Sequence, residues 1–378
     1  MIKKQMILLV YVLLAAVLCL ACSSTTGESN SANDDGKASS QTVPDTADTN
    51  ILYYIVGTGD VLPGLNYPES SPRLPFDDGV HIFDSVRQIL QHADVAFCNL
   101  ETVLLDSGGT PKKAPASGWP CFWFRTPERY VNHLLDAGYD FVSVANNHQI
   151  DFGIEGRLRT LEVLDSVELA CAGALSHRSA VIVRNGARYG FCAFSTNEEC
   201  VDMLNLDEVQ SIITELKTQC DILIVSVHAG NEGLDYRHVP FKSEYGKPEP
   251  LGNVHHFVHF CIDAGADVIF GHGPHVTRAI ELYQNRLIAY SLGNFCTPYG
   301  MNLDSSCGVA PILEVCVDAS GNFVSGKIYP VVQLSGIGPR IDKHGRAIRE
   351  IQQLTKEDFP NTTLRIDDNG TIAKIQSL

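Results

Sequence analysis

From residue 51 onward the sequence alternates short apolar runs with amphipathic runs, and this alternation limits the possible folds more than any other feature. The runs "DFVSVA" and "DILIVSVH" are predicted strands, because they are short, apolar and rich in β-branched residues. The runs "IEGRLRTLEVLDSV" and "LDEVQSIITELKTQC" repeat apolar residues at helical spacing. Later segments read as hairpins, including one around the Asn185-Gly186 turn. Repeated βα units followed by antiparallel strands predict an α/β fold, a layered core with a mixed sheet.

Two further helices are predicted near the start of this region. The run "HIFDSVRQILQHA" has a helical apolar period along its whole length. The run "TPERYVNHLLDAGY" has Thr126 as its predicted N-cap, Pro127 at the first helical position and Gly138 as its stop.

The N-terminus has the pattern of an export signal. Residues 1–21 carry two lysines and then the apolar run "MILLVYVLLAAVLCLA", which predicts a signal peptide. Cys22 follows Ala21 directly, as at a lipoprotein processing site, and is the predicted lipidation site. Cys19 stands where such sites usually have Leu, so a plain cleavage site and an uncleaved anchor remain alternatives.

The segment after the signal peptide separates the fold from the membrane. Residues 22–50 are mostly Ser, Thr, Asn and Asp with few apolar side chains, and they predict a disordered tether. We expect a folded domain at 51–335 and a C-terminal extension at 336–378. The expected product is an exported lipoprotein, anchored on the outer side of a bacterial membrane.

Charge and cysteine usage exclude two classes of protein. The formal net charge of −16 argues against a nucleic-acid partner, because phosphate binding needs a surplus of Lys and Arg. The ten cysteines after residue 22 contain no CxxC pair, and the one such spacing, Cys19 to Cys22, lies in the predicted signal peptide and lipidation site. Cys98, Cys171, Cys192 and Cys316 lie in strand-like runs and are interpreted as small buried hydrophobes, so no disulfide pairing is predicted.

Unusual polar side chains follow five of the predicted strands. Ligands of α/β sheets bind where strands end in loops, so these side chains are expected to converge on one region. Carboxylates, amides and imidazoles without cysteine favour a divalent transition metal such as Mn, Fe or Zn, and the large number of candidates favours two ions over one. The candidates are Asp60, Asn99, Glu101, Asn146, Asn147, His148, Asp151, His228, Glu232, His272 and His275.

Each of these residues alone has a plainer interpretation. Asp60 after a glycine suits a turn, Glu101 suits a solvated charge, and the paired asparagines suit a loop. The interpretation as a site is preferred because the same pattern recurs at five strand ends. For comparison, His255, His256 and His259 lie in a helical segment and are interpreted as surface and packing residues.

Six motifs together resemble those of one family. "GTGDVLPG", "NLE", "ANNHQIDFG", "HAGNE", "GHGPHV" and "YSLGNF" resemble, in this order, the motifs of the CapA family of poly-γ-glutamate capsule synthesis, which is similar in fold to calcineurin-like metallophosphatases. The resemblance runs from about Tyr53 to about Val332. It implies a four-layer α/β sandwich of metallophosphatase type with mixed β-sheets and a dinuclear metal site. It implies His148 as the catalytic proton donor or oxyanion stabiliser. The metal ligands implied by position are Asp60, Glu101, Asn147, His228, His272 and His275.

The chain departs from the metallophosphatase pattern at four positions. Those proteins usually have His two residues after the first Asp, where this chain has Leu62, and Asp where this chain has Glu101. Gly273 and Ala229 replace residues of the usual "GHHPH" and "HWG" motifs. These departures leave the occupancy of one metal position open.

Two functions are compatible with these residues. The first is an envelope-anchored hydrolase that acts through a dinuclear metal site on a phosphoester or related bond of a cell-envelope or capsule substrate. The second is a non-catalytic capsule assembly or export factor that binds an anionic polymer such as poly-γ-glutamate. The ligand set and His148 favour the first function, whereas Leu62 and the capsule role of the CapA family favour the second. The expected partners are a cell-envelope or capsule polymer or a phosphorylated substrate, and a membrane through the lipid anchor.

Overall fold

The computed structural model describes residues 51–113, 121–246 and 250–375. The predicted signal peptide, the lipidation site Cys22 and the tether at residues 22–50 lie outside these ranges. Within the ranges, no helix is both long enough and apolar enough to span a membrane.

A ten-stranded mixed sheet forms the first half of the fold. The main path across the sheet is β19 (Leu364–Ile366), β20 (Thr371–Lys374), β17 (Phe323–Leu334), β16 (Val309–Asp318), β1 (Leu52–Val61), β2 (Val95–Leu100), β5 (Phe141–Ser143) and β6 (Ala170–Ala172). Off this path, β15 (Asn294–Cys296) pairs with β1, and β18 (Gly338–Ile341) pairs with β17. Strands β1, β2, β5, β6 and β15 run parallel, and antiparallel pairing starts at β16.

A six-stranded sheet forms the second half. Its order is β13 (Ile280–Tyr283), β14 (Arg286–Ala289), β12 (Val268–His272), β9 (Ile222–His228), β8 (Ala187–Ser195) and β7 (Ser179–Arg184). Its central strands are parallel, and its two edge strands pair antiparallel. Two small ladders lie outside the sheets and join β3 (Val103–Leu104) to β4 (Arg125–Thr126) and β10 (Glu244–Tyr245) to β11 (Pro250–Gly252).

The two sheets face each other across an aromatic core. Phe97 of β2 stacks on Phe270 of β12 with ring centroids 5.5 Å apart, and it meets Phe191 of β8 at 5.1 Å. Gly57 of β1 permits this approach, because a Cβ there would lie 2.5 Å from the Phe270 ring. Full burial of each such ring contributes roughly 1.5–3 kcal/mol.

Helices cover the outer face of each sheet. They are α1 (Arg87–His92), α2 (Val131–Ala137), α3 (Gly153–Ser166), α4 (Leu206–Lys217) and α5 (Val254–Ala264), whereas α6 (Arg346–Asp358) packs against the core between the sheets. Leu90, Leu134 and Leu164 of α1, α2 and α3 pack on the first sheet. Val209 and Phe257 of α4 and α5 pack on the second sheet. The order helix, sheet, sheet, helix confirms the predicted four-layer α/β sandwich with mixed sheets.

The residues predicted as a C-terminal extension complete the first sheet. Strands β18, β19 and β20 all come from residues 336–378 and pair with β17 or with each other. Ala347, Ile348 and Ile351 of α6 belong to the same buried core as the residues between the sheets. The segment is therefore an integral part of the sandwich.

Two of the predicted helices begin later than expected. The run "HIFDSVRQILQHA" is helical only in α1, and the chain before it forms turns in which the Asp77 carboxylate accepts the backbone N–H groups of Gly79 and His81, each at 3.1 Å. Thr126 lies in β4 instead of capping a helix, and its hydroxyl donates to the Gly64 carbonyl at 2.7 Å. Pro127 has an extended ψ of 136°, and a 3₁₀ turn, Glu128–Tyr130, leads into α2.

Candidate metal centre

Strand register brings the predicted residues of each sheet to one level. In the first sheet Asp60 of β1 lies beside Asn99 of β2 and Asn294 of β15. In the second sheet His228 of β9 lies beside His272 of β12. The carboxyl ends of these parallel strands meet at one edge of the sandwich, as the sequence predicts.

Two carboxylates and one imidazole form the centre of this cluster. Asp60, Glu101 and His228 are buried, and each offers one ligand atom within 4.8 Å of the other two. These oxygen and nitrogen donors suit a borderline divalent metal. The three residues were all predicted as ligands.

Two further histidines reach the same carboxylate. His272 Nδ1 lies 3.2 Å from Asp60 Oδ1, and His275 Nδ1 lies 2.9 Å from Asp60 Oδ2. His275 Nε2 lies 3.6 Å from Glu101 Oε1. The two histidines are three residues apart in the sequence instead of the usual two, and both rings still contact Asp60.

The backbone between these histidines accounts for Gly273. Gly273 has a φ of +113°, and a Cβ there would lie 2.7 Å from the Ala229 carbonyl oxygen. No residue with a side chain fits such a position without strain. His275 itself has a φ of +57°, a left-handed backbone that is uncommon outside glycine and that clusters at functional sites. The departure at Gly273 is thus a consequence of close packing between two strand-end loops.

Two amides hold the carboxylates in place. Asn99 Nδ2 donates to Asp60 Oδ1 at 2.8 Å and lies 3.5 Å from Glu101 Oε2. Asn146 Nδ2 donates to Asn99 Oδ1 at 3.0 Å and to the Leu100 carbonyl at 2.9 Å. These bonds fix the side chain of Asn99 and therefore the orientation of the carboxylates, as outer-shell partners do around metals.

Electrostatics at the site favour a bound cation. Burial, and then the charge of Asp60, raise the pKa of Glu101 well above its ordinary value. Burial opposes a charge on His275, but Glu101 and Asp60 outweigh it and raise the pKa of His275 to about 10. Burial would also raise the pKa of Asp60, yet hydrogen bonds from His272 and His275 leave it lowered. Burial lowers the pKa of His228 to about 3, so its ring is neutral and free to bind a cation.

Several buried polar atoms of the site are left without a partner. Each unpaired buried group costs about 1–3 kcal/mol, so a cluster of them needs a reason. A divalent cation would satisfy oxygen and nitrogen donors of this kind together, so the residues present fit a metal. Within the described ranges, the atoms at this edge that lack a hydrogen-bond partner are Glu101 Oε1, Asn147 Oδ1, His272 Nε2 and Asn294 Oδ1.

His148 is held beside this cluster by its own set of contacts. Its Nδ1 lies 2.6 Å from Asp151 Oδ2, and its ring stacks on Phe124 with centroids 4.0 Å apart. Asp151 is buried, pairs with Lys112 and accepts the backbone N–H of Phe124 at 2.7 Å. Burial lowers the pKa of His148 although Asp151 opposes this, and the charges of Lys112 and then His275 lower it further. The Nδ1 contact leaves Nε2 as the nitrogen that can meet a substrate.

Three residues around this histidine and this edge were not predicted from the sequence. Phe124 and Lys112 are far from His148 in sequence, and no pattern connects them to it. Asn294 stands in the "YSLGNF" motif, which was a usable signal. Its Nδ2 donates to the Cys307 carbonyl at 3.1 Å, while its register partner is Asp60.

Glu232 and Leu62 do not contribute to the central cluster. The side chain of Glu232 is 56% exposed, and its Oε1 lies 3.9 Å from His275 Nε2, so it belongs to the rim. Leu62 is buried in a small cluster with Leu65 and Phe124, the ring that stacks on His148. An aliphatic side chain at position 62 supports that ring and supplies no ligand.

The family model for the bacterial capsule synthesis protein PGA_cap matches residues 54–299, more than half of the chain. This chain belongs to that family. The resemblance of its six motifs to the CapA family is thereby confirmed.

Two curated PGA_cap relatives are similar over a shorter stretch than their full length. "Capsule biosynthesis protein CapA" of Bacillus anthracis is 29% identical over 262 residues, which cover 64% of this chain and 59% of the relative. "PGA biosynthesis protein CapA" of Bacillus subtilis (strain 168) is 30% identical over 258 residues, which cover 64% of this chain and 62% of the relative. The chain therefore matches less than two thirds of the length of either relative.

Two solved structures are distantly similar to this PGA_cap member. A 5'-nucleotidase precursor from Thermus thermophilus has a TM-score of 0.40 and 14% identity, covering 75% of this chain and 54% of the other. A purple acid phosphatase from yellow lupin (Lupinus luteus) seeds has a TM-score of 0.37 and 9% identity, covering 75% and 52%. At these TM-scores and identities, no activity is inferred for this chain from either structure.

Adding Mn²⁺ or Zn²⁺ to chelator-treated protein is expected to raise its melting temperature. A ligand that binds only the folded state stabilises it by about 2.7 kcal/mol at a free concentration of 100 times its Kd. Differential scanning calorimetry with and without EDTA measures the shift. An unchanged melting temperature at saturating metal would show that these residues do not form a metal site.

Proposed function

We propose that this chain is a metal-dependent hydrolase that cleaves a phosphoester or related bond in a cell-envelope or capsule substrate. The observation that carries the proposal is the buried cluster of Asp60, Glu101 and His228 next to the paired His148 and Asp151. A cation-binding cluster and a positioned proton carrier at one strand edge are the two parts that metal-assisted hydrolysis needs.

Each side chain of the site has a separate role in this reaction. A divalent ion bound at Asp60 would lower the pKa of a coordinated water and polarise the scissile bond, and the predicted pair of ions would also hold the substrate oxygens. His148 Nε2 carries the proton to the leaving oxygen or stabilises charge that develops there. Asp151 holds the ring through Nδ1 and fixes which nitrogen faces the substrate. The stacked ring of Phe124 excludes water from one face of His148.

The substrate class comes from the family and from the predicted location. The two Bacillus relatives carry names that place them in capsule or PGA biosynthesis. For this chain we propose a capsule polymer such as poly-γ-glutamate, another envelope polymer, or a lipid-linked phosphate. A phosphoester is the default bond, because metal pairs hold phosphoryl oxygens for in-line attack.

A second function is a capsule assembly or export factor that binds an anionic polymer without turnover. Leu62 favours it, because this position supplies no ligand and leaves the site one donor short of the usual metallophosphatase set. Bound metal would then attract polymer carboxylates or phosphates, and His148 would serve only binding.

A panel of substrates separates the two functions. The purified chain, loaded with Mn²⁺, is incubated with phosphomonoesters, phosphodiesters, peptidoglycan fragments and poly-γ-glutamate, with EDTA-treated protein as the control. We expect hydrolysis of at least one substrate that EDTA abolishes. Binding of poly-γ-glutamate without hydrolysis of any substrate would instead establish the second function.

We also propose that the mature protein is tethered to the membrane through a lipid on Cys22. Replacing Cys22 by Ser is expected to move the protein from the membrane fraction to the soluble fraction, because the thiol that would carry the lipid is gone. Immunoblots of cell fractions measure this, with Cys19→Ser as the matched control that stays membrane-bound. A Cys22→Ser variant that is still processed and membrane-bound shows that the lipidation site is wrong.

A further inference from the structure

The histidines of α5 lie on two different faces of the helix. Asn253 caps the helix, accepting the His256 N–H at 3.0 Å, and His256 itself is exposed. His255 and His259 are four residues apart and therefore on one face, with ring centroids 4.2 Å apart. This pair faces Glu281 of the edge strand β13, and His259 Nε2 lies 2.9 Å from Glu281 Oε2. His256 is therefore a surface residue and His255 and His259 pack against neighbouring rings, as interpreted from the sequence, but that interpretation did not include the carboxylate that the pair faces.

We propose that His255, His259 and Glu281 form a second metal site, for a divalent ion of the zinc class. Each residue offers one ligand atom within 4.8 Å of the other two, and all three residues are half-buried. Two imidazoles and one carboxylate are an established ligand set for zinc, which leaves a fourth position to water. The site shares no residue with the Asp60 cluster, so it does not depend on the proposed hydrolase function.

Neighbouring aromatic residues hold these three side chains in place. The Tyr290 hydroxyl donates to Glu281 Oε2 at 2.6 Å, as outer-shell groups do to metal-binding carboxylates. Tyr283 stacks on the His259 ring with centroids 3.7 Å apart and 15° between planes. Phe241 packs against the His255 ring at 4.8 Å. Packing that fixes the rings orients the ligand atoms before a metal binds.

An ion pair alone does not account for the arrangement. The contact between His259 and Glu281 explains those two residues only. In the described part of the chain the His255 ring makes no hydrogen bond, yet it is held beside His259. A shared cation explains why two imidazoles face one carboxylate. Bound there, the ion would tie α5 to β13, the edge strand of the second sheet.

Zinc content of matched variants tests the site. Wild type, His259→Gln, Glu281→Gln and His256→Gln are stripped with chelator, reloaded with Zn²⁺, dialysed and analysed by mass spectrometry of the metal. His256→Gln is the control, since it removes an imidazole from the same helix but not from the cluster. We expect His259→Gln and Glu281→Gln to hold roughly one Zn²⁺ per chain fewer than wild type and His256→Gln, because three protein ligands hold one ion. Equal zinc in all four proteins overturns the proposal.

A measurement on wild-type protein tests the site even if the variants do not fold. Histidine-ring ¹⁵N spectra of wild-type protein are recorded during a Zn²⁺ titration. We expect the ring nitrogens of His255 and His259 to shift and those of His256 to stay. Unchanged signals from His255 and His259 at saturating Zn²⁺ overturn the proposal, whatever happens at the Asp60 cluster and whatever the substrate panel gives.

Discussion

Asp60→Asn is expected to lower the metal affinity by at least about a hundredfold and to reduce metal-dependent hydrolysis to background, since even outer-shell changes cost about 10–100-fold. Asp60 is the carboxylate that His272 and His275 both contact, so its charge is central to the cluster. The amide conserves the volume of the side chain, which limits damage to the fold. Metal analysis and the substrate assay are made on the same preparation.

The control for this variant is Glu232→Gln. It also removes one carboxylate charge, but from the rim, where the side chain is 56% exposed. We expect it to keep its metal at the Asp60 cluster. If Asp60→Asn holds as much metal there as Glu232→Gln, Asp60 is not a ligand and the centre has been placed wrongly.

His148→Ala is expected to lower turnover by roughly a hundredfold or more while leaving bound metal unchanged, because it removes a proton carrier and no ligand of the central cluster. The contrast with Asp60→Asn separates chemistry from metal binding. Steady-state kinetics, metal content and the melting temperature are compared with those of wild type.

Asp151→Asn provides a graded comparison. It keeps a side chain of the same size beside Nδ1 but alters the bond that orients the His148 ring. We expect a smaller loss of turnover than in His148→Ala, with a change in its pH profile. A His148→Ala variant that matches wild type in both turnover and polymer binding would make the histidine structural.

The alternation of apolar and amphipathic runs was enough to predict a layered α/β core with a mixed sheet, whereas the four layers were implied by the family resemblance. The predicted hairpin at Asn185-Gly186 is formed by β7 and β8. The two turn residues have φ of +52° and +82°, and Asn followed by Gly is a preferred pair for a turn with two positive φ angles. Gly138 ends α2 in a left-handed conformation with a φ of +98°. Local chemistry determined these features, so the local sequence predicted them.

Features that depend on distant contacts were not predictable in this way. The apolar period before α1 reflects side chains such as Ile82 and Phe83, which enter the core from turns that Asp77 stabilises. Thr126 bonds to the carbonyl of Gly64, which is far away in sequence. Periodicity records which residues are buried, and it does not record the backbone that buries them.

The same distinction applies to the candidate site. Asp60, Glu101 and His228 were predictable because each lies within one residue of the end of a strand, and parallel strands end together. The stacking of Phe124 on His148 was not predictable, because the two come from separate loops. The relation of His255 and His259 to Glu281 was hidden for the same reason, although the spacing of four was visible in the sequence.

Anomalous scattering from crystals grown with Mn²⁺ tests the central claim most directly. Data collected above and below the manganese edge locate the ion without assuming its ligands. We expect at least one strong peak bonded to Asp60, Glu101 and His228. A map with no peak among these three residues at saturating Mn²⁺ would contradict it.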